Sequence, residues 1–195
     1  MAAIDCTGHG VPGAFMSMIG SRLLNEIINE KIYETNEILE ELNLRIRKSL
    51  NQEMNQNQDG MDVCLCRIDK NNSYTKVKFT GAKRPLIIYN KFKKKLSIIK
   101  GDRKTIGGDY YQNLRFSEKE ITLKKGDTIY LTSDGYTDQI DNNRKKIGHR
   151  RFQKLISDIS EKSLIDQKQI LENELNEYRS KEEQIDDITI IGVQI

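Results

Sequence analysis

The chain has 195 residues, of which 36% are hydrophobic and 31% charged, with a net charge of +3 and a pI near 8.6. Those values suit a folded core held in one domain, expected over residues 1–195, rather than a disordered or low-complexity chain. Lys and Arg are interleaved with 29 acidic residues instead of massed, so no nucleic-acid partner is implied. No apolar run approaches the ~20 residues that a bilayer crossing needs. Met1 leads through Ala2, Ala3 and Ile4 directly to Asp5, without the basic and then apolar stretches of a secretory signal, so a cytoplasmic location is expected. Cys6, Cys64 and Cys66 lack zinc-site spacing and read as buried, reduced thiols.

From Pro12 onward Phe15, Ile19, Leu23 and Ile27 recur at helical spacing, which predicts a helix to about Lys31. Thr35 is placed to cap a second helix with Ile38, Leu42, Ile46 and Leu50 on its apolar face. An Asn- and Gln-rich turn ends at Asp59 and Gly60. Short β-type runs follow: Met61 to Ile68, Tyr74 to Thr80, Leu86 to Phe92, Leu96 to Ile99 and Thr128 to Thr132, with a turn at Asn71, Asn72 and Ser73. Phe152 to Tyr178 carries the periodicity of two helices, and Ile188 to Ile195 that of a final strand. Helices, antiparallel strands, helices and a last strand in that order predict an α+β layered fold, not a doubly wound parallel sheet. The same order excludes a receiver domain built from alternating parallel strands and helices.

Asp5 follows a short apolar stretch, Asp134 closes an apolar strand and Asp186-Asp187 opens one. If strand ends bring them together, their mutual repulsion calls for a hard divalent cation such as Mg²⁺ or Mn²⁺. Ordinary turn and cap aspartates fit the same spacing, and spacing alone does not separate the two readings. The segment from Asp5 to Gly13 sets glycines just before a helix, where backbone approaches a ligand closely. It matches neither a Walker loop nor a dinucleotide fingerprint.

Four segments occur together and in order: Asp5-Cys6-Thr7-Gly8-His9-Gly10-Val11-Pro12-Gly13-Ala14, Thr80-Gly81-Ala82-Lys83-Arg84-Pro85-Leu86, Leu131-Thr132-Ser133-Asp134-Gly135-Tyr136-Thr137-Asp138, and Asp186-Asp187-Ile188-Thr189. In this the sequence resembles the metal-dependent protein serine/threonine phosphatases of the PPM superfamily, in their bacterial SpoIIE-like branch. The resemblance runs from the first residues to the last. It implies an αββα sandwich of mainly antiparallel sheets and two Mn²⁺ or Mg²⁺ ions that activate a water against phosphoserine or phosphothreonine. It implies Asp5, the Cys6 carbonyl, Asp134 and Asp186 as metal-holding and catalytic groups, with Gly8, Gly10, Gly135 and Asp187 in support. Lys83 and Arg84, beside the Gly81 motif, are candidates for substrate phosphate.

The family opens with a strand bearing a Gly-Asp-aromatic motif, and this sequence starts downstream of it, so the resemblance implies a domain without its first strands and with a sheet edge exposed. Gly107-Gly108-Asp109-Tyr110-Tyr111 resembles that motif in composition but stands in the wrong place, where a tight turn is expected. His9 does not sit where relatives carry a histidine, and packing within its loop is expected; His149, among Lys and Arg, reads as exposed. The implied partners are a phosphorylated regulatory protein of the anti-sigma factor antagonist type and an upstream sensor domain acting through the early helices, with a homodimer as a further possibility and no membrane contact by this segment. The rival function is a non-catalytic, phosphatase-like module that binds a partner after losing a metal ligand.

Overall fold

The computed structural model describes residues 1–8, 10–71, 73–108 and 114–195. In chain order, strand β1 (Ala2–Cys6) is followed by helices α1 (Gly10–Asn29) and α2 (Thr35–Ser49). Strands β2 (Gly60–Lys70), β3 (Thr75–Ala82), β4 (Leu86–Asn90), β5 (Lys95–Ile99), β6 (Ile106–Gly107), β7 (Lys119–Leu123) and β8 (Thr128–Thr132) come next. Helices α3 (Gly135–Asp138), α4 (Gly148–Ile159) and α5 (Leu164–Arg179) precede the last strand, β9 (Ile190–Gln194). Among the described residues no helix is long and apolar enough to cross a membrane.

Two antiparallel sheets result. The first runs β1-β2-β3-β7, with β6 paired to the start of β2, and the second runs β5-β4-β8-β9. Side-chain alternation assigns every strand two faces. On β2, Met61, Val63 and Leu65 point at α1 and α2, whereas Cys64 and Cys66 point at the second sheet. On β8, Ile129 and Leu131 meet the first sheet, and Tyr130 meets Tyr136, Phe152 and Ile156 of the late helices. The outcome is helix, sheet, sheet, helix, with a core between each pair of layers, as the layered α+β expectation required. Burial on both faces explains why β2, β4 and β8 read as nearly continuous apolar runs.

The expected helices and strands appear within a few residues of their expected ends, and α5 gains a cap from the Ser163 hydroxyl, which accepts from the Asp166 amide. Thr35 differs from expectation. Glu34 stands at the cap position and makes no capping bond. Thr35 is buried in the first turn, its hydroxyl 2.8 Å from that of Thr80 and donating to Glu118 at 2.9 Å, so it ties α2 to the sheet beneath. β6, β7 and α3 were not expected: β6 has two residues and α3 four, too short to show a period, and β7, at a sheet edge, opens with Lys119 and Glu120 and has only Ile121 and Leu123 as apolar residues. Asn72, and Asp109 to Tyr111 with the turn expected there, lie outside the described residues.

Phe79 is fully buried between the sheets. Phe79→Ala is expected to destabilise the chain by about 3–5 kcal/mol through lost transfer energy and an unfilled cavity. A lower urea midpoint at unchanged slope, followed by far-ultraviolet dichroism, is the check.

Candidate metal centre

β1 carries Ala3 into the core between the sheets, and Asp5, two residues on, emerges on that same face at its end. β8 reaches the same end from the opposite sheet, and Asp134 follows it by two residues. The third carboxylate arrives on the loop before β9, which is fastened to β8 through Ser133. The Ser133 hydroxyl donates to the Asp187 carbonyl and accepts from the Thr189 amide, both at 2.9 Å, and the Ser133 amide donates to the Thr189 carbonyl at 3.0 Å. Gly135 lets the two segments touch, since a Cβ there would collide with the Asp187 carbonyl oxygen. Oxygen atoms of Asp5, Asp134 and Asp186 thereby lie within 4.8 Å of one another.

These three line a cleft of about 1490 Å³ together with Cys6, Gly8, Gly10, Lys83 and Asp187. Gly8 and Gly10 hold φ of +85° and +65°, a left-handed conformation that favours glycine, and so form the turn between β1 and α1. Thr7 anchors this turn to the first sheet: its amide donates to the Gly60 carbonyl at 2.9 Å and its hydroxyl accepts from the Gly60 amide at 2.8 Å. Asp187 is held through its backbone: its carbonyl accepts from Ser133 at 2.9 Å and its amide donates to the Asp186 carboxylate at 2.7 Å. Cys64 and Cys66 are buried and unpaired as expected, whereas Cys6 is only half-buried. His149 is exposed as expected, and His9 lies outside the described residues.

Two features were not legible in the residues alone. Asp62 stands directly opposite Asp5 across the β1–β2 pair, which puts both carboxylates on one face. Arg84 does not reach freely into the cleft. Its guanidinium donates from one nitrogen, Nη2, to Asp134 at 2.7 Å and to Asp62 at 2.9 Å. Lys83 is half-exposed, with Nζ 3.5 Å from Asp62. An acid two residues after Gly60, near the head of an apolar strand, was the one available sign of Asp62, and the strand pairing needed to interpret it is invisible in sequence.

Charge is unevenly shared across the cluster. Burial, a hydrogen bond with Asp134, and the repulsion of Asp134 and Asp186 push the Asp5 carboxyl up from 3.8 to about 7. Burial also acts to raise Asp134, but its hydrogen bond with Asp5 and the charge of Arg84 outweigh it and hold Asp134 below the ordinary carboxylate value. One proton is thus shared between two carboxylates. Three hard oxygen donors with unbalanced negative charge, open to a cleft, fit a divalent cation such as Mg²⁺ or Mn²⁺ better than zinc.

Between pH about 4 and about 7 the folded chain keeps the Asp5 proton that the unfolded chain has lost, so in this range rising pH removes stability. In a chelator the thermal midpoint is expected to fall from about pH 5 to about pH 7.5, and Asp5→Asn to flatten that fall. Melting curves of the two proteins at both pH values decide it; an equal fall in both would refute the assignment.

Comparison with known proteins places the chain. Among curated proteins none matches it significantly. Among solved structures, the SiaA-PP2C domain of Pseudomonas aeruginosa is 29% identical, with a TM-score of 0.86 over 100% of this chain and 74% of that one. The PP2C phosphatase domain of the cell fate determinant SpoIIE from Bacillus subtilis, with a fragment of its regulatory domain, shares the fold at 18% identity, TM-score 0.71, over 100% of this chain and 53% of that one. The catalytic domain of the serine/threonine protein phosphatase PstP, solved with 2 manganese ions, shares it at 12% identity, TM-score 0.64, over 99% and 86%. The family model Stage II sporulation protein E (SpoIIE) matches residues 1–195, and the chain belongs to that family of PP2C-type phosphoprotein phosphatases.

Proposed function

We propose that the chain is a metal-dependent protein serine/threonine phosphatase that hydrolyses phosphoserine or phosphothreonine on a regulatory protein. The observation that carries this reading is the convergence of Asp5, Asp134 and Asp186 from two sheets and a loop upon one point. These carboxylates and the Cys6 carbonyl would hold two ions, Mn²⁺ or Mg²⁺, in a unit spanning residues 1–195. When bound, such ions supply an activated water nucleophile and positive charge against the phosphate oxygens. Gly8 and Gly10 keep the Cys6 carbonyl at the cleft, while Gly135 and the Asp187 backbone keep Asp186 beside Asp134. Lys83, half-exposed on the cleft wall, meets the substrate phosphate, and Arg84 offsets the charge of Asp134 from behind.

The substrate is a phosphorylated partner of the anti-sigma factor antagonist type, met in the cytoplasm. Regulation enters through α1, because the turn at Gly8 and Gly10 joins it directly to Asp5 and Cys6, so an upstream sensor or a homodimer contact that moves α1 moves the site. The manganese in the PstP structure and the likeness to the SiaA domain support the reading.

Hydrolysis of p-nitrophenyl phosphate and of a phosphoserine peptide, with and without Mn²⁺, tests it. Activity is expected only with the ion, falling at least about 100-fold in Asp134→Asn. Lys83→Ala is expected to raise KM for the peptide about tenfold with kcat nearly kept. Tight Mn²⁺ binding without hydrolysis would instead mark a non-catalytic, partner-binding module.

A further inference from the structure

Arg84 is the positive charge most deeply set among these carboxylates, only 13% exposed, and what holds it there is Asp62, only 16% exposed. The turn that presents it is rigid. Lys83 sits at φ +56°, its amide donates to the Asp102 carbonyl at 2.8 Å, and the Asp102 amide donates back to Gly81 at 2.8 Å. Gly81 packs against both the Arg84 carbonyl and Gly101 so closely that neither glycine has room for a Cβ. The backbone from which Arg84 projects is therefore fixed, and the Asp62 carboxylate holds its side chain on Asp134.

The pairing itself is only partly satisfied. A strong arginine–carboxylate pair is a two-nitrogen fork, whereas Nη2 serves both carboxylates here, and Nε is buried without a hydrogen-bond partner among the described residues. Such a contact neutralises charge without the full grip of a fork, which makes it displaceable.

We propose that Arg84 is a built-in counter-cation of the metal centre: Asp62 holds it on Asp134, where a divalent ion must compete with it for that carboxylate. This rests on the metal-centre reading above and adds to it a positioning pair, Asp62 and Arg84, that sets how readily the ion enters. Repulsion between the guanidinium and the ion weakens ion binding, while the guanidinium stabilises the ion-free fold by relieving repulsion among the carboxylates. Asp62 is not a ligand in this scheme. Its carboxylate keeps Arg84 from turning to solvent.

Calorimetric titration of the chain with MnCl2 is the test, with Arg84→Gln, Arg84→Lys and the double variant Asp62→Asn/Arg84→Gln. Arg84→Gln is expected to bind Mn²⁺ about tenfold more tightly, because a nearby positive charge is gone. Arg84→Lys keeps the charge and is expected to stay within about threefold of the parent chain. The double variant removes the pair as a unit, guards against misfolding of the single variant, and is expected to lie between the parent and Arg84→Gln, because the Asp62 charge that attracts the ion is removed as well. A merely structural role predicts the opposite sign, with weaker Mn²⁺ binding in Arg84→Gln and Arg84→Lys alike, and that result overturns the proposal. Equal affinities in all four proteins overturn it too, while leaving the metal centre standing. Absence of Mn²⁺ binding in all four would remove the metal centre and the counter-cation together.

Discussion

The structure depends on one constraint: two sheets packed face to face, in which every second residue of each strand must enter the gap between them. Along most of that gap the entering residues are apolar, Ala3, Cys64, Cys66, Phe79, Ile129 and Leu131 among them. The same alternation, continued past the end of the apolar layer, delivers Asp5 from β1 and Asp62 from β2 on that face. No separate device is needed to aim these side chains. A shift of one residue in the β1–β2 register would turn Asp5 toward α1 and an apolar neighbour toward the cleft, so the pairing that builds the core also builds the site.

Crowding carboxylates at the end of a core has a cost, and the protein meets it in two ways. The raised Asp5 carboxyl keeps its proton below about pH 7 and so removes one charge there, and the Arg84 guanidinium offsets another. Both leave the site net acidic and ready for a cation of higher charge. In the function proposed, this unsatisfied electrostatics is the source of metal binding, and the fold tolerates it because the three buried layers supply cohesion elsewhere.

Much of this was legible in the sequence. Helical spacing from Phe15 to Ile27 and from Ile38 to Leu50 gave α1 and α2, and the runs beginning at Met61, Leu86 and Thr128 gave strands, because long amphipathic or apolar periods survive tertiary context. Asp5, Asp134 and Asp186 were singled out by their places at strand ends and by motif order, and the fold brings their oxygens within 4.8 Å of one another. What escaped had a common cause. β6 and α3 are shorter than any period, and Asp62 acquires meaning only from the strand opposite. The task of Ser133 depends on a loop more than 50 residues away, and the engagement of Arg84 depends on two carboxylates 22 and 50 residues distant.

Asp5 and Asp62 belong to one sheet, Asp134 and Asp186 flank strands of the other, and Arg84 lies on the crossover between them. The sandwich is therefore held together differently along its length, by apolar packing over most of the gap and by charge at one end. Close-packed side chains resist shear over most of the interface, and they do so under any solution conditions that preserve the fold. At the polar end the seam is crossed instead by charge, the Arg84 guanidinium joining Asp62 of one sheet to Asp134 beside the other. In the function proposed, the ions that bind there would tie one half of the sandwich directly to the other.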